Sequence, residues 1–152
     1  HLSWYLPSAR GQATAALTVH APTRFFAFER AHHADLNWDQ LEGSFDLELR
    51  NLRAMDNWAV KQLFVYVQAA WEEGGKRSEA TVWDRIVPRA QIADISLARE
   101  RFKYPLTDRH RRLRGKPVTF RVWVETVPVA GWLNRRLCGD TQVRIAPAFA
   151  TL

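Results

Sequence analysis

The sequence has very little cysteine, since Cys138 is the only one among 152 residues. An intramolecular disulfide needs two thiols and a four-thiolate zinc site needs four, so neither can form within this chain. The sequence also lacks any run of about 20 apolar residues, the length that a transmembrane helix requires. No Asn-x-Ser/Thr sequon occurs, and we therefore expect no N-linked glycan. These absences exclude a disulfide-stapled small domain and a bundle of membrane-spanning helices.

What the chain does contain is the composition of a folded domain. Apolar residues make up 47% of it and charged residues 25%, and seven tryptophans are present. A chain of this size can bury one sizeable core, and no repeat, low-complexity segment or linker divides it. We therefore predict one domain over residues 13–152, preceded by a separate segment of residues 1–12. The formal net charge of +6 indicates an acidic partner or surface without identifying either.

Alternation of apolar and polar residues predicts antiparallel β-strands that are buried on one face. The clearest case runs from Phe45 to Leu49, and a longer one covers residues 118–125 and stops at Pro128. Residues 13–20 alternate more loosely, and we expect an edge strand that ends at Ala21-Pro22. Shorter apolar clusters predict two further strands, one at Phe25, Phe26 and Phe28 and one at Val143 and Ile145.

One apolar run, Leu63 to Val67, continues without a polar residue. It predicts a central strand that is covered on both faces. Trp58 in front of the run and Phe64 within it are both expected in the interior. The pair Gly74-Gly75 predicts a tight turn, after which residues 80–87 return as the hairpin partner.

The fold class follows from the spacing of these segments. Short strands recur every 10 to 20 residues or so, which is typical of an all-β fold. Residues 91–104 are ambiguous, because Ile92, Ile95 and Phe102 would also suit a short helix without a clear cap. We therefore predict an antiparallel β-sandwich with at most one short helix.

The central stretch, Asn57-Trp58-x-Val60-Lys61-Gln62-Leu63-Phe64-x-Tyr66, closely resembles the signature of a known family, subunit 3 of the eukaryotic signal peptidase complex. Three further blocks follow in that family's order: Val82-Trp83-Asp84-Arg85-Ile86-Val87, Lys103-Tyr104 with Leu113-Arg114-Gly115, and Val127-Pro128-x-Ala130-Gly131. The resemblance fades after Gly131.

The resemblance implies a non-catalytic accessory subunit that scaffolds the catalytic subunit for signal-peptide cleavage. In that family the catalytic serine belongs to a different subunit. The resemblance also implies that a single N-terminal membrane helix precedes a domain in the lumen of the endoplasmic reticulum. The implied partners are the catalytic and other subunits of the complex, and the membrane through a helix before His1. Residues 1–6, with Trp4 and Tyr5, would be the remnant beyond that helix, and an ordinary frayed terminus is the alternative.

The residues themselves show no catalytic motif. Candidate nucleophiles and bases are scattered along the chain: Ser3, Ser8, Ser44, Ser78, Ser96 and Cys138, and His20, His32, His33 and His110. None lies in a nucleophile-elbow pattern, so we expect no catalytic residue. His32-His33 lacks further ligands at metal-binding spacing, so we expect neither a metal nor a cofactor. Cys138 is expected to be an inert, small apolar side chain.

The strongest competing signal is the basic run from Arg109 to Lys116. Four arginines in it are candidates for contact with a membrane surface: Arg109, Arg111, Arg112 and Arg114. Anionic lipids attract such segments by about 1 kcal/mol per basic residue. The run contains no aromatic residue and no recognition-motif spacing, which disfavours nucleic acid. A solvated hairpin connection is the structural alternative, and a basic module for nucleic acid or an anionic surface is the alternative function.

The polar half of the central signature is the candidate partner-binding site. Packing of a buried strand does not require Asn57, Lys61 or Gln62. Polar side chains in such positions either cap the strand locally or form hydrogen bonds with another protein. We predict that these three residues contact the catalytic subunit, with local capping as the alternative.

Overall fold

A computed structural model of the chain describes residues 12–24, 38–109 and 111–147. Within these ranges the backbone forms eight strands: β1 Thr14–Arg24, β2 Trp38–Arg50, β3 Val60–Glu73, β4 Lys76–Pro88, β5 Ile95–Arg101, β6 Leu106–Arg109, β7 Pro117–Pro128 and β8 Asn134–Arg144. The only helical segments in these ranges are two single 3-10 turns, Leu52–Met55 and Arg89–Gln91.

The strands form two antiparallel sheets. Sheet A has the order β1-β2-β5, and β6 also pairs with the first part of β2; sheet B has the order β4-β3-β7-β8. The two sheets pack face to face around a single apolar core. The prediction of an all-β antiparallel sandwich is therefore confirmed.

The core follows from the two-residue period of the strands. Phe45, Leu47 and Leu49 all lie on the inner face of β2 and are fully buried, because alternate side chains of a strand point to the same face. Aromatic rings join the two sheets across the core. Phe45 of sheet A packs edge to face against Trp83 of sheet B, with 5.6 Å between the ring centroids. The ring centroids of Phe102 and Phe120 are 5.9 Å apart. Edge-to-face pairs contribute about 0.5–1.5 kcal/mol beyond the area they bury.

The central position of β3 is confirmed, since it lies between β4 and β7. Its odd-numbered residues from Leu63 to Ala69 have no exposed surface, and Tyr66, Gln68 and Ala70 on the other face are also buried. The prediction for Trp58 is wrong, because this residue precedes the strand and its side chain is 84% exposed. Phe64 lies on the outer face of sheet B and is half-buried, so it is not in the interior either.

Two other boundaries differ from the sequence prediction. β1 does not end at Ala21-Pro22 but continues to Arg24, because a bulge between His20 and Thr23 resets its pairing with β2. Proline has no N–H to donate to the hydrogen-bond ladder of a strand. A bulge can accommodate it, because the extra residue of a bulge is left out of the ladder. Residues 95–101 form β5 and not a helix. The predicted strand at Phe25, Phe26 and Phe28 lies outside the described residues.

The edges of the two sheets meet where β1 runs beside β8. A Cβ atom at position 139, where the chain has Gly139, would lie closer to the carbonyl oxygen of Ala15 than van der Waals contact allows. Only glycine allows two backbones to approach this closely. This approach brings the first strand of sheet A against the last strand of sheet B and closes one side of the sandwich.

The sandwich has two ends with different contents. The entry end holds the start of β1, the connection of residues 51–59 and the β7–β8 connection of residues 129–133, since Thr14 pairs with Arg50 and Val60 with Pro128. The hairpin end holds the Gly74-Gly75 turn, whose glycines have φ of 59° and 79° as a tight hairpin requires. It also holds the basic run, because Arg112 there forms an ion pair with Glu73.

Candidate docking surface

The three predicted partner-binding residues lie at the start of β3 but differ in their surroundings. The side chain of Asn57 accepts a hydrogen bond from the backbone N–H of Ala59 at 2.9 Å, so it caps its own turn. Lys61 is exposed and makes no ion pair or hydrogen bond with the described residues. Gln62 is half-buried on the outer face of sheet B, between Pro88 of β4 and Val127 of β7.

The outer face of sheet B carries an ordered aromatic and polar network. The Arg135 guanidinium lies 4.1 Å over the ring of Trp123 and donates a hydrogen bond to the Tyr66 hydroxyl at 3.3 Å. The indole N–H of Trp123 donates to Gln68 Oε1 at 3.0 Å, and Gln68 Nε2 donates to Glu79 at 3.1 Å. A cation over a tryptophan ring contributes about 0.5–2 kcal/mol. The network therefore holds large aromatic side chains in fixed positions on a surface.

Apolar side chains extend this face toward the entry end. Phe64 lies 5.2 Å from Tyr66, ring centroid to ring centroid. Ile86, which is paired with Phe64 across β3 and β4, is 58% exposed. Tyrosine, tryptophan and arginine fixed beside apolar side chains are the composition of protein–protein hot spots. The face between Gln62 and Trp123 therefore combines aromatic, apolar and polar side chains.

The basic run at the hairpin end is largely engaged with carboxylates. Arg114 makes two hydrogen bonds to the fully buried Asp39, at 2.7 and 2.9 Å, which raise the pKa of the Arg114 guanidinium. Arg111 lies 3.4 Å from the same carboxylate. Asp108 fixes the loop backbone by accepting the N–H groups of Arg112 and Leu113, while burial raises the pKa of its carboxyl group.

These contacts assign a structural role to part of the run. Sequence reasoning missed Asp39 as a partner because it lies 75 positions before Arg114. Contact of Arg111 and Arg112 with a membrane surface stays a prediction, and the same holds for Arg109, whose strand β6 leads into the loop.

A second exposed apolar cluster lies at the entry end, and we call it the aromatic tip. It consists of Trp58, Val129, Trp132 and Leu133, which are 84%, 72%, 94% and 61% exposed. Two loops form it, and the backbone N–H of Val129 donates to the carbonyl oxygen of Ala59 at 2.7 Å, which ties them together. Sequence reasoning expected Trp58 in the core and gave no role to Trp132. The signal that could have found them was their position between strands, next to Asn57 and Gly131.

One arrangement on sheet A partly matches a catalytic triad. Ser44 and His20 are cross-strand neighbours, and the His20 ring lies 3.2 Å from the carboxylate of Asp46. The Asp46 carboxylate also accepts the backbone N–H of Arg99 at 2.7 Å, and this bond together with His20 lowers the pKa of Asp46. No hydrogen bond joins the Ser44 hydroxyl to His20 among the described contacts, so the serine has no base in place to activate it.

The described residues offer no other reactive centre. Burial raises the pKa of the Cys138 thiol, which keeps it protonated and unreactive near neutral pH. No group of three or more metal-binding side chains occurs within residues 12–24, 38–109 and 111–147. His32-His33 lies outside these ranges. In the same part of the chain, no helix is long and apolar enough to cross a membrane.

Comparison with known proteins identifies a family and several relatives. The model of a family described as "Signal peptidase subunit" matches residues 4–148. A protein of Dictyostelium discoideum named signal peptidase complex subunit 3 is 29% identical over 70% of this chain and 62% of its own length. Its namesake in Saccharomyces cerevisiae is 30% identical over 74% of this chain and 59% of its own.

A third relative of the same name, from Caenorhabditis briggsae, is 36% identical over 60% of this chain and 51% of its own length. The chain therefore spans between half and two thirds of the length of these three relatives. The residues that the family model matches include all eight described strands. With a family match over nearly all of its residues, the chain belongs to the signal peptidase subunit family.

Proposed function

We propose that this protein is a non-catalytic accessory subunit of a signal peptidase complex. The observation that carries the proposal is the family match over residues 4–148. Relatives named signal peptidase complex subunit 3 support the same assignment. The unactivated Ser44 and the protonated Cys138 agree with a subunit whose chemistry is supplied elsewhere.

The proposed role is to hold the catalytic subunit in position for cleavage of signal peptides. A rigid scaffold accelerates a partner's reaction by keeping its reacting groups in productive geometry. A sandwich packed around one continuous core suits this role. We further propose that the domain lies in the lumen of the endoplasmic reticulum and that a single N-terminal helix anchors it to the membrane.

We propose that the catalytic subunit docks on the outer face of sheet B, with Lys61 and Gln62 at the edge of the contact. Lys61 is exposed and has no partner among the described residues, and Gln62 adjoins the apolar surface around Phe64 and Ile86. Asn57 contributes by shaping the turn before β3, since its side chain bonds Ala59. Amides and cations at the rim of an apolar patch can form hydrogen bonds with a partner protein and so fix its orientation.

The test is recovery of the catalytic subunit with the tagged protein from detergent-solubilised membranes. We expect the double variant Lys61→Ala, Gln62→Ala to remain folded but to bind the catalytic subunit roughly ten- to a hundredfold more weakly, since one hydrogen bond to a charged group contributes about 1.5–3 kcal/mol. Precursor processing should slow in parallel.

The matched control is Lys116→Ala with Gln142→Ala, the same residue types, both exposed, toward the hairpin end. This control should assemble like the parent. A parent protein that recovers no signal peptidase subunit would overturn the proposed function. A Lys61/Gln62 variant that assembles normally would remove only this docking site.

A further inference from the structure

The aromatic tip is the feature of the molecule that neither folding nor the proposed docking face explains. Its four apolar side chains are all more than half exposed, and Trp132 is almost completely so. A soluble surface rarely gathers large apolar side chains at one point, because each fully exposed one forgoes the free energy of burial. Such a cluster therefore indicates an apolar environment that the isolated chain does not supply.

The tip is held in place and is not a loose pair of loops. The bond from Val129 to Ala59 links the loops, and Arg89 donates to the Trp58 carbonyl oxygen at 3.4 Å while binding Asp56 at 3.0 Å. The Asn57 side chain caps the turn that contains Trp58, because it accepts the backbone N–H of Ala59. These bonds restrain the backbone at Trp58 and Val129, which lowers the ordering entropy that insertion would cost.

The charges around the tip are mostly positive. Arg53 and Lys61 flank it, are exposed and have no ion-pair partner among the described residues. Of the two acidic side chains in the neighbouring connections, Asp56 is paired with Arg89, and Asp94 accepts the backbone N–H of Leu52. Tryptophan rings with a basic border suit the headgroup region of a bilayer, where rings bury their apolar surface and cations meet phosphates.

The direction of the chain points to the same end. β1 starts there, because Thr14 pairs with Arg50, and Gln12 just before it is bonded by Arg136 of β8. The first described strand therefore begins at the same end as the tip. If a membrane helix precedes β1, which rests on the proposed function, the tip faces the bilayer.

We propose that the aromatic tip inserts into the interfacial region of a lipid bilayer and thereby sets the orientation of the sandwich on the membrane. Trp58, Trp132 and Leu133 would enter the boundary between headgroups and acyl chains, and Arg53 would contact lipid phosphates. The basic run at the hairpin end would then point away from this surface, so this proposal replaces the membrane contact that the sequence predicted for Arg109, Arg111, Arg112 and Arg114.

The experiment measures co-flotation of the 152-residue chain with phosphatidylcholine vesicles, with and without phosphatidylserine. We expect the parent to bind both, and to bind more strongly where phosphatidylserine is present. The triple variant Trp58→Ser, Trp132→Ser, Leu133→Ser should lose at least about tenfold in partition, as expected when the apolar contact of one large side chain or more is removed. The segment before residue 12 is unchanged in every variant and cannot cause the difference.

Two controls make the result specific. The variant Ile86→Ser, Leu137→Ser also removes exposed apolar side chains, but from the face of sheet B, and should bind like the parent. Arg112→Gln at the hairpin end should do the same. Circular dichroism and thermal unfolding should show all variants folded, because none of these side chains is in the core.

A depth measurement gives a second readout. Vesicles with brominated acyl chains should quench part of the parent's tryptophan fluorescence. The variant Trp58→Phe, Trp132→Phe should still bind but lose that quenching, because it keeps the apolar rings and removes the two reporters.

The proposal is overturned if the parent does not bind vesicles, or if the serine variant binds as the parent does. It is also overturned if the serine variant loses the catalytic subunit while vesicle binding is unchanged, which would make the tip a protein-docking site. None of these outcomes bears on subunit membership, which recovery of the complex tests separately.

Discussion

At the scale of single residues, the same residue type has different roles at different positions. Trp83 fills the core against Phe45, Trp123 is fixed on the outer face by Arg135 and Gln68, and Trp58 is exposed in a loop. Burial and partners decide the role of an aromatic ring, since its apolar area stabilises only the state that removes it from water.

The arginines of the basic run differ in the same way. Arg114 compensates a carboxylate with no exposed surface, whereas Arg112 is 55% exposed and pairs with Glu73 at 3.4 Å. A buried carboxylate that loses its partner leaves an uncompensated charge, but an exposed pair is screened by solvent. Arg112 and Arg114 are close in sequence, but the loss of each side chain should change the stability of the fold by a different amount.

We therefore expect Arg114→Met to lower the free energy of unfolding by about 3–5 kcal/mol. The matched change Arg112→Met should cost less than about 1 kcal/mol. Urea denaturation followed by tryptophan fluorescence measures both. Equal urea midpoints for the two variants would contradict this expectation. They would show that Arg111, which lies 3.4 Å from Asp39, replaces Arg114 as the ion-pair partner of that carboxylate.

At the scale of elements, the edges of the two sheets meet in a close approach of their backbones. β1 and β8 run close together at Gly139, where the Ala15 carbonyl occupies the position that a side chain would need. Cys138, the neighbouring residue, forms the bulge opposite the Val122–Trp123 step of β7. Edge strands that cover each other leave fewer unpaired backbone groups for association with other chains.

Replacing Gly139 by alanine should push β1 away from β8 and cost about 1–3 kcal/mol, as overpacking typically does. Asp140→Ala, at the next residue and exposed, should leave stability nearly unchanged. Thermal unfolding and amide hydrogen exchange of β1 provide the measurement. Normal protection of β1 in the Gly139→Ala protein would contradict the close approach.

At the scale of the whole molecule, the two ends are chemically different. The hairpin end is ionic: Asp39 binds Arg114, Glu73 pairs with Arg112, and Asp108 accepts backbone N–H groups of the basic run. The entry end is apolar and exposed, and the cations at its border, Arg53 and Lys61, have no acidic partner within the described part of the chain. A protein polarised in this way has a preferred orientation at a surface, and the docking face of sheet B lies between its ends.

The accessory role predicts that the purified chain cleaves no signal peptide. Ser44 and His20 share a cross-strand position and Asp46 contacts His20, but no contact among the described residues activates the serine. Incubation with a fluorogenic signal-peptide substrate should give no turnover, and Ser44→Ala should behave identically. Turnover that survives rigorous purification and disappears in the Ser44→Ala protein would refute a non-catalytic subunit.

The sequence by itself determined the fold class and indicated the strands β1, β2, β3, β4 and β7. Two-residue alternation marks the inner face of a strand directly, so the pattern at Phe45, Leu47 and Leu49 predicted their burial. The continuous run of β3 likewise predicted a strand covered on both faces. The signature around Lys61 and Gln62 indicated the family from its residue types and their spacing.

Only the tertiary structure decided which loops share an end and which distant residues meet. A local pattern shows to which side a residue points but not what lies there, so it could not pair Arg114 with Asp39 across 75 positions. It also could not distinguish Trp58, which is exposed, from Trp83, which is in the core. The aromatic tip exists because antiparallel pairing of β3 with β7 brings the chain before Val60 beside the chain after Pro128.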